Sequence, residues 1–284
     1  MASELGGQNV LINTGNLNPN APVTGAALEQ FNAMSNFFNG FYNESLGPGV
    51  KTLGGFEQVF VTDTGKTLLA FGEVSASGQV ANFGQSGDGV VGTGVNTKVV
   101  GGSGDNDILI TDNASHLVNL GGGNDALQGI GSGPLTVNAG AGNDAVLGGT
   151  GNDVINGGAG NDVLLGGAGN DTINGGAGKD RIEGGAGNDT LKGGAGKDLF
   201  VFGSAPTGQD TITDFKKGDV LQISDRNGDG QTSSGDIKSI ASDGQGGTLL
   251  TLVGGDPANP DTIHLEHVKV DKLTQLPDGT FIIH

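Results

Sequence analysis

Aspartate returns at every ninth residue along one stretch of the chain: Asp144, Asp153, Asp162, Asp171, Asp180, Asp189 and Asp198. Each follows a Gly-rich run, and two places later comes a large apolar residue: Val146, Ile155, Leu164, Ile173, Ile182, Leu191 and Phe200. Carboxylates at constant spacing are brought into a column when the backbone repeats. Such a column repels itself unless cations lie between its members. Ligation by carboxylate and backbone carbonyl oxygens alone suits Ca²⁺.

The elements that position these carboxylates follow from the repeat. Ala139 to Val201 reads as seven unbroken nonapeptides: AGAGNDAVL, GGTGNDVIN, GGAGNDVLL, GGAGNDTIN, GGAGKDRIE, GGAGNDTLK and GGAGKDLFV. Glycine permits positive φ, so the first half of each unit can turn tightly with its carbonyls aimed at one spot. The last three residues form a short strand, of which only the middle one points inward. Two units then make one coil of a flattened solenoid with a thin aliphatic core. One column would hold Asp107, Asp125, Asp144, Asp162, Asp180 and Asp198, the other Asp153, Asp171 and Asp189. The phase decays upstream: Leu120–Gln128 keeps Asp125 and Leu127, and Gly102–Ile110 keeps Asp107 and Leu109. His116 stands where an acid is expected, and Gly129–Asn138 has no acid and one extra residue.

The pattern resembles the GGxGxDxUx motif of the RTX family. That resemblance implies a calcium-loaded, right-handed parallel β-roll. The expected fold is therefore dominated by β structure, with a roll over 99–202, a C-terminal β cap over 203–284 and a small α+β N-terminal domain over 1–98. The DLFVFGSAPTGQDTITDFKKGDVLQIS segment is similar to the cap that follows RTX repeats in serralysin-type proteins. Its alternation predicts strands at Leu199–Phe202, Thr211–Phe215 and Val220–Ile223. A solenoid needs such a cap, because its bare end exposes core and unpaired strand edges.

Asp225–Asp236 (DRNGDGQTSSGD) has a second spacing. Asp225, Asn227 and Asp229 fall at positions 1, 3 and 5 of an EF-hand-like loop, Gly230 at 6, Ser233 at 9 and Asp236 at 12. The loop resembles a dockerin-type calcium loop, but only one is present, so it implies a metal site and not docking. The tail resembles RTX tails that serve as uncleaved type I secretion signals, through Ile263, Leu265 and Val268 and then Phe281, Ile282 and Ile283. A secretion apparatus engaging the C-terminus would fit an N-terminus with no basic and apolar leader. The expected location is the extracellular space or cell surface.

Thr24–Asn43 reads as a helix with Leu28, Phe31, Met34, Phe38, Phe41 and Tyr42 on a broad apolar face. Strands follow at Phe56–Thr62, Thr67–Val74 and Gln79–Phe83. Thr64-Gly65-Lys66-Thr67 lacks the earlier glycine of a phosphate loop, because Phe60 stands there. There is no H-E-x-x-H and no G-x-S-x-G, and none of His116, His264, His267 and His284 lies in the first hundred residues. No catalytic residue is assigned. A net charge of −18, from 31 acids against 13 bases, argues against nucleic acid. No apolar run is long enough to span a bilayer, and with no cysteine there is no disulfide chemistry. Threonine at the turn tips, as ice binding would require, is confined to Thr150.

The outward residues differ between the two sides of the coil. One side carries Ile108/Ile110, Ala126/Gln128, Ala145/Leu147, Val163/Leu165, Arg181/Glu183 and Leu199/Val201, the other Val154/Asn156, Thr172/Asn174 and Thr190/Lys192. So apolar a face is expected to be covered, by the N-terminal helix or by a second copy through Ala145, Leu147, Val163 and Leu165. The function read from these features is a non-enzymatic, calcium-folded structural protein that self-assembles in a layer, filament or adhesive coat. A secreted ligand- or host-binding module over 1–98 and a small secreted hydrolase are the alternatives.

Overall fold

The computed structural model describes residues 96–226, 236–254, 258–276 and 280–283, with short strands between residues 50 and 91. Two sheets face each other across a thin core. The first runs through Asp107–Ile110, Ala126–Gly129, Ala145–Gly149, Val163–Ala168, Arg181–Ala186, Leu199–Phe202 and Val220–Ile223. The second runs through Thr97–Val100, His116–Gly122, Leu135–Ala141, Val154–Ala159, Thr172–Gly178, Thr190–Gly196 and Gln209–Ile212. Consecutive strands alternate between the sheets, and each pairs in parallel with the strand one coil away. This is the β-roll that the repeat implies.

The register shows why nine residues suffice. Val146 lies beside Leu164 and Ile182 beside Phe200 in the first sheet, with Ile155 beside Ile173 and Ile173 beside Leu191 in the second. All seven eighth-position side chains are buried in one continuous core cluster. The turns are tight because glycines at the second and fourth places adopt positive φ, as in Gly167 at 114° and Gly169 at 123°. A Cβ at Gly167 would strike the Gly149 carbonyl of the neighbouring turn. Backbone therefore stacks on backbone there.

The first repeat departs from expectation. Asn106, not Asp107, is level with Asp125, because the coil between them is 19 residues long and not 18. Asp107 pairs with Ala126, one place past the column. Ile108 and Ile110 consequently join the inner core in place of Leu109. The extra residue turns the assigned inward and outward faces over, as a one-residue slip must.

Among the N-terminal segments, strands form at Phe56–Val61, Thr67–Ala70 and Gln79–Asn82. They start where the sequence places them, and the remaining residues of those expected strands, Thr62, 71–74 and Phe83, lie outside the described residues. Gln79–Asn82 and Gly89–Val91 continue the two parallel ladders upstream, so the start of the nonapeptides at residue 99 is not a break in hydrogen bonding. The Thr24–Asn43 helix lies outside the described residues. At the C-terminal end the first sheet closes with the antiparallel strands Leu273–Gln275 and Phe281–Ile283; on the second, Thr262–Leu265 pairs in parallel with Gln209–Ile212 and carries the antiparallel strands Thr248–Leu252 and Ile237–Ser242. Ile263, Leu265, Val268 and Phe281 are buried in that closure.

The two outer faces are unlike. On the second sheet Thr136, Thr172 and Thr190 are exposed, Leu117 and Val154 are about half exposed, and Asn119, Asn138, Asn156 and Asn174 form a ladder of amide hydrogen bonds. On the first, Ala145, Val163, Leu165 and Val201 are buried yet stand outside the inner core cluster. Cover therefore comes from within the single chain. Beneath it lies an ion pair, Arg181 to Glu183 at 3.2 Å, and burial pushes the Glu183 carboxyl up to about 7.

Candidate metal centre

The aspartates of each column bond in a chain. The N–H of Asp125 donates to Asp144 Oδ1, that of Asp144 to Asp162, Asp162 to Asp180 and Asp180 to Asp198, at 2.8–3.2 Å. In the second column Leu135 donates to Asp153, Asp153 to Asp171 and Asp171 to Asp189, at 2.7–2.8 Å. Oδ1 thereby fixes each carboxylate against the preceding turn. Oδ2 is left over. It is buried without a hydrogen-bond partner in Asp125, Asp144, Asp153, Asp162, Asp171, Asp180, Asp189 and Asp210.

A buried acceptor with no donor costs about 1–3 kcal/mol, and more when charged. Burial accordingly pushes Asp144, Asp171 and Asp180 up to about 7, and Asp125, Asp162 and Asp189 up to about 6. Neighbouring carboxylates add to the rise at Asp144, Asp171 and Asp180. A proton or a cation relieves this strain, and at neutral pH a hard cation does so better.

The first glycine of each repeat makes room beside that oxygen. A Cβ at Gly166 would press on Asp171 Oδ2 and lie 2.7 Å from the Gly184 carbonyl of the next turn. The same relation recurs at Gly148, Gly157 and Gly175. A carboxylate oxygen and a carbonyl oxygen thus converge where only a glycine leaves space, and this donor set fits Ca²⁺. Among the described residues no three acidic or imidazole side chains gather at one point. Further donors at each step must then be backbone carbonyls. Gly166→Ala should raise the calcium concentration at the folding midpoint about tenfold, while Ala177→Ser, at an exposed turn tip, should leave it unchanged. A calcium titration followed by circular dichroism checks both, and equal midpoints would remove Gly166 from the site.

Sequence reading missed three features. Asp210 and Asp219 extend the columns into the cap, taking the N–H of Asp189 and Asp198 on their Oδ1 atoms. They stand 21 residues on from their partners, so a nine-residue count passes over them. Asparagine at the fifth place of the repeat forms its own ladder: Asn143 N–H donates to Asn124 Oδ1, and Asn161 to Asn143. Its recurrence was visible in the repeat, but its bond needed the coil. The third is Arg226, a buried guanidinium inside the EF-hand-like segment.

Of that segment, Asn227, Asp229 and Ser233 lie outside the described residues. Asp236 is fully buried and accepts the Arg226 N–H at 2.7 Å, closing the loop back toward Asp225. His116 occupies the aspartate position of the second column and bonds Asp112 Oδ1 through Nε2 at 2.7 Å, while its Nδ1 is buried without a partner. His264 bonds Asp243 at 2.9 Å, which holds the Asp243 carboxyl down near 2.

A family profile for the RTX calcium-binding nonapeptide repeat (four copies) matches residues 138–173 and 174–204. Residues 138–204 are an array of RTX calcium-binding nonapeptide repeats. The matched span covers the ladder from Asp144 to Asp198, so the RTX array is a calcium-binding β-roll. Proteins with such repeats are typically extracellular. The chain is also similar to the solution structure of the AlgE6R3 subunit from the Azotobacter vinelandii mannuronan C5-epimerase, at 26% identity over 49% of this chain and 76% of that one, with a TM-score of 0.25. No curated protein matches the chain. Among the described residues no helix is long and apolar enough to cross a membrane.

Proposed function

We propose that the chain is a secreted structural protein that folds on meeting calcium outside the cell. The row of buried, partnerless Oδ2 atoms carries this reading. Calcium would be held by Asp125, Asp144, Asp153, Asp162, Asp171, Asp180 and Asp189 with glycine carbonyls of adjacent turns, and Asp210 extends the set. Asp225, Asn227, Asp229, Ser233 and Asp236 would form a separate site in the cap. Asp107, one place off the column, falls outside this set.

Calcium is scarce in the cytosol, so repulsion along the ladder would keep the array unfolded there. An unfolded chain is also one whose Ile263, Leu265, Val268 and Phe281 a type I secretion apparatus could read, since these are buried once the cap forms. Binding and folding would then be one event. The working units are 1–98, 99–202 and 203–284, with no catalytic role assigned to any of them.

The folded protein is taken to assemble in a layer, filament or coat. Ala145, Val163 and Leu165 are already buried within one chain, so cover within the chain is the reading adopted for that face. Val163→Lys with Leu165→Lys should lower the thermal midpoint without changing the size of the particle. Light scattering and electron microscopy with and without EGTA test the assembly itself. Particles that dissolve on chelation support it, and a monomer at every calcium and protein concentration would refute it.

A further inference from the structure

The two aspartate columns end differently. The second ends on Asp210, whose Oδ1 accepts the Asp189 N–H at 2.9 Å and whose Oδ2 is buried without a partner. The first ends on Asp219, whose Oδ1 accepts the Asp198 N–H at 3.1 Å. Here the second oxygens do have a partner. Lys216 Nζ lies 3.2 Å from Asp198 Oδ2, 3.4 Å from Asp219 Oδ2 and 2.5 Å from the Gly194 carbonyl. These are carboxylates of successive turns plus a glycine carbonyl, the same kinds of donor that meet at the steps upstream.

The backbone around Lys216 is pinned on every side. Asp214 accepts the N–H groups of Gly193 and Gly194, each at 2.8 Å. Phe215 is buried with its ring edge against Phe200, 5.9 Å between centroids. The Lys216 N–H donates to Asp219 Oδ2 at 3.0 Å. Only the side chain is free to choose, and it brings its charge onto the ladder while remaining partly exposed to solvent.

We propose that Lys216 is a built-in counter-ion: its ammonium takes the place of a calcium ion between Asp198 and Asp219. The first column then closes against the cap without metal, while the second depends on a cation down to Asp210. An ammonium offers three donors and a positive charge on a long stem, which is what a step lined only by oxygen acceptors demands. The inference rests on reading the upstream steps as calcium sites.

The test is the calcium stoichiometry of the full chain, measured by equilibrium dialysis for wild type, Lys216→Met and Lys216→Arg. The expected result is one more calcium per chain in Lys216→Met than in wild type, with Lys216→Arg equal to wild type because its charge remains. Equal stoichiometry in wild type and Lys216→Met would overturn the counter-ion role alone. So would a Lys216→Met chain that fails to fold in millimolar calcium, because the ion should replace the ammonium. A wild-type chain that binds no calcium would instead overturn the calcium reading, and this inference with it.

Discussion

Chelation at neutral pH should erase most of the β signal in circular dichroism, and calcium should restore it. At a calcium concentration tenfold above a Kd of ~0.1 mM, each site contributes about 1.4 kcal/mol. A row of such sites reaches the whole stability of an ordinary domain, about 5–15 kcal/mol. Relief of the orphaned Oδ2 atoms is part of that binding free energy, and the calcium-free coil keeps their cost. The pH dependence follows from the raised carboxyls. Each is protonated more readily in the folded coil than in the open chain. Its contribution to the calcium-free fold is therefore full below pH 3.8 and is lost as pH rises through about 6 to 7. In EGTA the array should be more ordered at pH 5 than at pH 8, and calcium should bind more weakly at pH 5, where it competes with protons. A spectrum that EGTA leaves unchanged at pH 8 would end the calcium account.

The repeat made the roll legible because it is one-dimensional. Once Asp144 to Asp198 are in phase, the partner of every strand follows from the count, and Val146 beside Leu164 or Ile173 beside Leu191 needs no further information. The count failed where coils change length. Between Asn106 and Asp125 the coil has 19 residues, so the aspartate that looked in phase, Asp107, was not. Beyond Asp198 it has 21, and Asp219 was invisible to it. The candidate site divides in the same way. Its carboxylates were legible as a pattern, but which oxygen each leaves over depends on a bond from the next turn. Arg226 gave no signal at all, since a lone arginine in a polar loop looks solvated.

That arginine predicts the second large effect, in the cap. Its guanidinium is almost fully buried and spends four of its five donors on three chain segments. Nε donates to the Val253 carbonyl at 2.9 Å, Nη1 to the Gly203 and Ala205 carbonyls at 2.8 and 3.0 Å, and Nη2 to Asp261. Asp261 also accepts the N–H groups of Thr207 and Gly208, so one fork joins the end of the roll to the cap meander. Arg226→Ala leaves a buried carboxylate without its cation and three carbonyls without donors, at a cost of about 3–5 kcal/mol. Lysine should recover little of it, because a single ammonium cannot span carbonyls that face a planar fork. Amide exchange in saturating calcium distinguishes the consequences. If the cap melts as its own unit, Thr248–Leu252 and Thr262–Leu265 lose protection while Val163–Ala186 keeps it. If the array needs its closed end, both lose protection together, since the exposed edge after Gln209–Ile212 would fray the coils behind it. Unchanged protection in both would mean that the cap is held by its apolar residues alone, and that the fork adds nothing.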